Sequence, residues 1–316
     1  MALLEVQHIS KQVDENIIVD GISFKQEGLQ KIAIAGESGA GKTTLLKMIS
    51  GHAQPTGGTI LFDGERVIGP DEKLLLGHKE IAYLSQDHDL LHNYKVEELI
   101  WFENHLSHDE AATLFGVCQI DHLLKRRTDQ LSGGEKQRIA LCMLLIKSPK
   151  LLVLDEPFSN LDLIHKRALK TVIEDIGKKL QITCMLTSHD PHDTLSWADE
   201  IIVMKEGKIV QQGTPEAIYN RPANEYVAGM FGKYNLLKPH IAALFGIDSK
   251  GNDLMTRPEN FKIYKTGSGV KGVINKVSFW GSFYEAAIVV EDQELIVRSH
   301  EDKWRVGDKI FVSIKF

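Results

Sequence analysis

The chain has 316 residues, 43% of them hydrophobic and 25% charged, with a formal net charge of −6. These are ordinary globular values, and the length suits two domains with real cores. The acidic balance argues against a protein that coats nucleic acid, yet local amides and one lysine can still hold a polyanion such as ATP.

Residues 3–35 read as strands and turns, closing on the apolar run Ile32 to Ala35. From Lys42 to Ile49 the pattern turns helical, with Leu45, Leu46 and Ile49 on one side. Short strands follow at 59–62 and 81–84, and 95–127 reads as mostly helical. "KLLVLDEP" is a continuous apolar run ending in acids, as expected of a central parallel strand. A helix at about 162–180 precedes a second buried strand, "ITCMLTSH", and "DEIIVMKEGKIVQQG" predicts a hairpin turning at Glu206-Gly207. The alternation of β and α implies a parallel sheet with helices on its faces. Residues 223–247 read as a helical link. Beyond Arg257-Pro258, short strands such as "VKGVINKVSF" and "ELIVRS" predict a small all-β barrel.

Cys118, Cys142 and Cys184 stand far apart without metal spacing and are expected as buried thiols in a reducing compartment. "MALLEVQHIS" lacks a secretion-signal pattern, and the longest apolar runs are too short to span a bilayer. A soluble, cytoplasmic protein is expected, with any membrane role supplied by a partner.

"GESGAGKT" at 36–43 fits GxxxxGK[ST] between an apolar strand and a helix. Gly36, Gly39 and Gly41 let the backbone curl so that several NH groups face a phosphate; Glu37, Ser38, Ala40 and Thr44 belong to the same nucleotide-binding stretch. Lys42 supplies a charge near the β- and γ-phosphates, and Thr43 offers a hydroxyl to Mg²⁺. Asp155 and Glu156 end the "LLVL" strand, where parallel sheets bind their ligands. Asp155 suits Mg²⁺, directly or through water, and Glu156 suits a general base that polarises the attacking water. An acidic pair at a strand end is by itself usually just solvated; the phosphate loop is what turns the reading. His189 and Gln86 end further strands and are placed to reach the same crevice, Gln86 as a ligand of Mg²⁺ or water. "LSGGEKQR" at 131–138, small residues with a helix opening behind them, makes a second anion site.

These motifs, with "SNLD" at 159–162, occur in the order and rough spacing of ABC-transporter ATP-binding subunits, which residues 3–235 resemble. The resemblance implies an α/β fold: a P-loop NTPase with a mixed, mainly parallel sheet and a helical subdomain at about 87–135. It also implies domains at 1–235 and 236–316, the second a small OB-like barrel. "VKGVINKVSFWGSFYEAAIVV" is similar to the TOBE-type barrels of bacterial importers, whose solutes are oxyanions, iron(III), phosphonates, polyamines and sugars. In that family two subunits pack head to tail around two ATPs. Ser132, Gly133 and Gly134 of one subunit then meet the γ-phosphate held by the other, with Asp162 at the same interface. The implied enzyme is an ATPase using ATP and Mg²⁺. Its implied partners are a second copy, membrane permease subunits docking near residues 86–100 and, indirectly, a solute-binding protein. The implied location is peripheral, on the cytoplasmic face of the plasma membrane. A soluble ABC ATPase without a membrane partner and an exporter subunit are the alternatives.

One departure stands out. The aromatic residue that stacks on adenine in the family is replaced here by Gln12 or Val13, in "SKQVDENI". Weaker adenine contact is expected. Phe279, Trp280, Phe283 and Tyr284 are expected as core and interface aromatics rather than ligand-stacking residues. His88 and His92 stand at i, i+4 spacing, but the favoured reading there is a polar surface with Leu90 and Leu91 contacting a partner.

Overall fold

The computed structural model describes residues 2–85, 90–103, 106–159 and 161–315, with 102 and 103 described by their backbone alone. It divides into two compact units, Met1–Pro215 and Glu216–Phe316.

The first unit runs β1 (Ala2–Val13), β2 (Asn16–Glu27), β3 (Lys31–Ala35), α1 (Lys42–Ile49), β4 (Gly57–Phe62), β5 (Glu65–Arg66) and β6 (Ile81–Leu84). It continues through α2 (Val96–Glu103), α3 (His108–Cys118), α4 (Gly133–Leu145), β7 (Leu151–Leu154), α5 (Leu163–Lys179), β8 (Thr183–Ser188), α6 (Pro191–Thr194), β9 (Glu200–Lys205) and β10 (Lys208–Gly213). Six strands form one sheet in the order β10-β9-β3-β8-β7-β6. Every neighbouring pair is parallel except the β9–β10 hairpin. All four residues of β7 are buried, which is why that run carries no polar alternation. Glu206 and Gly207 both have positive φ, 49° and 78°, the twist that a two-residue hairpin requires.

A second, antiparallel sheet orders β2-β1-β4-β5. Its Leu4, Phe24 and Phe62 share one core with Ile34, Leu45 and Met185 from the other sheet and α1. Helix α5 buries Leu169, Val172, Ile173 and Ile176, one stripe at helical spacing. The stretch 95–127 resolves into α2, α3 and a short 3₁₀ turn at Asp121–Leu123. Cys118, Cys142 and Cys184 are buried, unpaired thiols. Leu90 is also buried, so of the two leucines expected to face a partner only Leu91 lies on the surface. His92 is exposed; His88 lies outside the described residues.

The second unit holds α7 (Pro215–Asn220), α8 (Glu225–Met230), β11 (Asn235–Leu237), α9 (Pro239–Leu244), β12 (Leu254–Thr256) and β13 (Phe261–Tyr264). Four longer strands follow: β14 (Val270–Phe279), β15 (Tyr284–Val290), β16 (Gln293–Ser299) and β17 (Lys309–Ile314). With β13 they build a five-stranded antiparallel sheet, β13-β17-β14-β15-β16, curled so that its edge strands β13 and β16 approach each other. Trp304, Phe261, Ile288 and Val297 fill its core. This is the expected small barrel-like module.

Two expectations need correction. The link at 223–247 is not helical throughout: β11 lies within it and pairs antiparallel with β12. The Asn235 amide holds the chain extended there, bonding both the NH and the carbonyl of Ile296. Of the four aromatics expected in the core or at an interface, Phe279 and Trp280 are 65% and 55% exposed and so are not core, while Phe283 and Tyr284 are half-buried. Trp280 stacks with Phe283 at 6.5 Å, and Lys233 and Arg298 cover these rings as cation–π partners. Among the described residues, no helix is long and apolar enough to cross a membrane.

Candidate active site

Strands β3, β7 and β8 end at one edge of the sheet, and the loops leaving them carry the polar side chains. The loop from β3 to α1 turns through Gly41, with φ of 95°; a Cβ there would stand 2.5 Å from the Ile18 carbonyl oxygen. Glycine alone fits. No side chain caps α1, which leaves its first amides for an anion. The crest of the loop, Glu37 to Gly39, is exposed, while Gly36 and Ala40 are buried and Thr44 half-buried.

Lys42 is only 5% exposed, and its ammonium donates to the carbonyls of Gly36 and Glu37 at 2.8 and 2.9 Å. Burial draws its pKa below the usual lysine value, opposed by the charges of Glu156 and Asp155. Glu156 Oε1 stands 3.7 Å from Lys42 Nζ, and its Oε2 stands 3.3 Å from His189 Nδ1. Glu156 has φ of 46°, a strained conformation for a residue with a side chain.

Asp155 organises the site. Its Oδ1 accepts from the Thr43 hydroxyl at 3.1 Å and the Thr187 hydroxyl at 2.8 Å, and its Oδ2 accepts from the Tyr83 hydroxyl at 3.1 Å. Thr187 Oγ1 in turn accepts the backbone NH of Glu156 at 2.8 Å. Burial, reinforced by the Asp155 charge, pushes the Tyr83 phenol up, so it remains a donor. Neither Tyr83 nor Thr187 was anticipated from the sequence. Both flank β7 in the sheet, on β6 and β8, and a correct strand order would have found them.

Gly36 to Thr44, Asp155, Glu156 and His189 thus gather at one edge. Gln86, expected there as a ligand of water or Mg²⁺, lies outside the described residues. The Thr43 hydroxyl and the Asp155 carboxylate form an all-oxygen donor pair suited to a hard divalent cation such as Mg²⁺.

Ser132, Gly133, Gly134 and Asp162 form a second group. Ser132 caps α4: its hydroxyl accepts from Glu135 N, and the Glu135 carboxylate accepts from Ser132 N at 2.8 Å. Asp162 caps α5, its Oδ1 accepting from the NH groups of Ile164 and His165. Among the described residues, neither Ser132 nor Asp162 bonds to Lys42, Asp155 or Glu156. The link between the groups is Gln137 of α4, whose amide donates to the Pro157 carbonyl at 3.0 Å.

The ABC transporter family model matches residues 19–159. The spermidine/putrescine import ATP-binding protein PotA of Clostridium acetobutylicum is 30% identical, over 99% of this chain and 94% of its own length. The chain belongs to the importer-type ABC transporter ATP-binding subunits. The Fe(3+) ions import ATP-binding protein FbpC 1 of Rhodococcus jostii is 34% identical over 88% of this chain and 85% of its own. Among solved structures, cbiO1 from Clostridium perfringens, part of the ABC transporter complex cbiONQ, superposes with a TM-score of 0.62 at 29% identity. That match covers 69% of this chain and 90% of the other. The ADP conformation of another ABC-transporter ATP-binding cassette, 21% identical over 72% of this chain and 98% of its own, shares the fold with a TM-score of 0.62. This ABC subunit is accordingly an ATP-binding protein and an ATPase.

Thr187 gives a test of the site that spares the fold. Thr187→Val keeps the shape but leaves the Glu156 NH unpaired and removes one of the Asp155 donors, a cost of about 1–3 kcal/mol. Steady-state ATPase should fall by about tenfold or more, while ATP affinity by fluorescence titration stays within about threefold.

Proposed function

We propose that the protein is the ATP-hydrolysing subunit of a bacterial importer, two copies of which sandwich two ATPs beneath membrane permease subunits. The observation that carries this reading is the Glu156 carboxylate held between Lys42 and His189 beside the phosphate loop. The γ-phosphate lies against Lys42 and the amides opening α1. Glu156 accepts a proton from water as the water oxygen bonds to the γ-phosphorus; the bond to the β,γ-bridging oxygen breaks, and ADP leaves with the electron pair. His189 holds the Glu156 carboxylate in line. Thr43 and Asp155 would hold Mg²⁺, which supplies positive charge to the phosphates. Gln86 is assigned to the same task from its place in the sequence.

Ser132, Gly133 and Gly134 complete the site of the other copy, with Asp162 alongside. Two aliphatic side chains next to Asp162, Leu163 and Ile164, are 73% and 78% exposed, which supports an apolar contact between copies on this face. The permease subunits dock near residues 86–100, where Leu91 and Tyr94 are exposed. The protein acts on the cytoplasmic face of the membrane, and a solute-binding protein and the permease select the solute. Within the set of oxyanions, iron(III), phosphonates, polyamines and sugars, the names of its relatives support a polyamine or iron(III).

Three outcomes test this reading. Glu156→Gln should leave ATP binding intact and yield an ATP-dependent dimer in analytical ultracentrifugation; fast turnover in that variant would remove Glu156 from its role. Ser132→Arg should abolish hydrolysis while the monomer binds ATP nearly as before, because the lost contact belongs to the other copy's nucleotide. With Gln12 and Val13 where the family stacks an aromatic, about 1–3 kcal/mol of base stacking is missing. Competition titration should find ATP and GTP binding within about tenfold of each other.

A further inference from the structure

The N-termini of α4 and α5 are joined by one imidazole. His165, in the first turn of α5, presents Nδ1 to Asp162 Oδ2 at 2.7 Å and Nε2 to Ser132 Oγ at 3.4 Å. The side chain packs against Gly134, where a Cβ would come within 2.8 Å of His165 Cδ2. Glycine at 134 is therefore what lets the ring reach Ser132. Two of the charged groups in the first turns of these helices are paired elsewhere, while Lys136 and Arg167 also stand on them. Glu135 of α4 binds Arg126 at 3.0 Å, and Lys166 of α5 binds Asp190 and Asp193 at 2.6 and 2.8 Å. Arg138, one turn further along α4, also offsets Glu135. Among the described residues, Asp162 is the anion in hydrogen-bond contact with His165.

We propose that His165 is a positioning residue that sets the direction in which the Ser132 hydroxyl donates, and so gates that serine's grip on the other copy's γ-phosphate. The proposal rests on the composite-site reading above. Asp162 fixes the proton on Nδ1, because a carboxylate can only accept. In the neutral ring Nε2 is then an acceptor, and the Ser132 hydroxyl spends its hydrogen on it. The serine oxygen offers only lone pairs outward, towards an incoming anion. When the ring takes a second proton, Nε2–H donates to Ser132 Oγ instead, and the hydroxyl hydrogen is free to point at the phosphate. The added positive charge favours that phosphate as well. Phosphate contact at Ser132 and protonation of His165 therefore promote each other, and closing the dimer takes up protons at this ring. An imidazole can carry one ring proton or two, so the direction of the Ser132 hydroxyl follows the protonation of the ring. The sign follows: closure is favoured at lower pH and weakens as pH rises.

The test uses the full chain carrying Glu156→Gln, with ATP and Mg²⁺, and measures dimer affinity by analytical ultracentrifugation from about pH 6 to about pH 8. Affinity should fall about tenfold across that range. With His165→Leu or His165→Asn added, the part of the slope due to His165 should vanish, leaving only what the nucleotide and the remaining groups contribute in every variant. The asparagine variant retains a polar side chain, so loss of slope in it with dimers still forming separates protonation from packing. Calorimetry in two buffers of different ionisation heat should register proton uptake on closure in the parent and none from this ring in either variant. Parallel pH curves with dimers intact in all three proteins would overturn the role of His165 alone. Absence of an ATP-dependent dimer in the parent at every pH would overturn the composite site, and this inference with it.

Discussion

A buried carboxylate must be satisfied, and here that requirement falls on Asp155, 2% exposed just past the end of β7. Its three hydroxyl donors come from three separate elements: Thr43 on α1, Tyr83 on β6 and Thr187 on β8. They meet only if β7 lies between β6 and β8 in parallel register, with Leu154 opposite both Leu84 and Leu186. A slip of one residue in either pairing would turn Tyr83 or Thr187 to the opposite face. The same hub thereby aligns the phosphate loop with the carboxylate that follows it in sequence. Thr187 extends the arrangement one step, since the hydroxyl that donates to Asp155 also accepts the NH of Glu156. The left-handed backbone at Glu156 is held by that bond, and the carboxylate is delivered between Lys42 and His189.

What was legible in the sequence was what short-range chemistry dictates. The phosphate loop is a local object: three glycines, a lysine and a threonine within eight residues leave one sensible geometry, and α1 begins where the pattern turned helical. The run at 151–154 could be read as a buried strand because it has no polar alternation, and the 206–207 turn because its residues tolerate positive φ. Tyr83 and Thr187 escaped because their role depends on which strands are neighbours. That order, with β8 beside β3 and β7 beyond it, follows from crossovers that no local pattern encodes. The link at 223–247 was misread for a related reason. β11 has three residues and is extended because a side chain bonds to Ile296, far along the chain. The surface aromatics Phe279 and Trp280 resemble core residues by composition alone. Their exposure follows from their place at the end of a hairpin, where each pairs with one aromatic ring of the next strand or turn and Lys233 covers Trp280.

His165 shows a third kind of legibility. The motif around it is recognisable, yet nothing local marks a histidine in the first turn of a helix as a bridge to a serine 33 positions earlier. The connection is made by Gly134, whose missing side chain admits the ring, and by Asp162, which fixes one of its nitrogens.

The amide of Gln137 has a wider consequence. It ties α4, which carries Ser132, to the backbone immediately after Glu156, through a buried bond to a proline carbonyl. In the head-to-tail pair proposed above, Ser132 and Glu156 would serve different nucleotides. A tilt of α4 on meeting the phosphate across the interface would pull on the loop that positions water in the chain's own pocket. One buried amide would thus make each pocket in that pair mechanically answerable to the other.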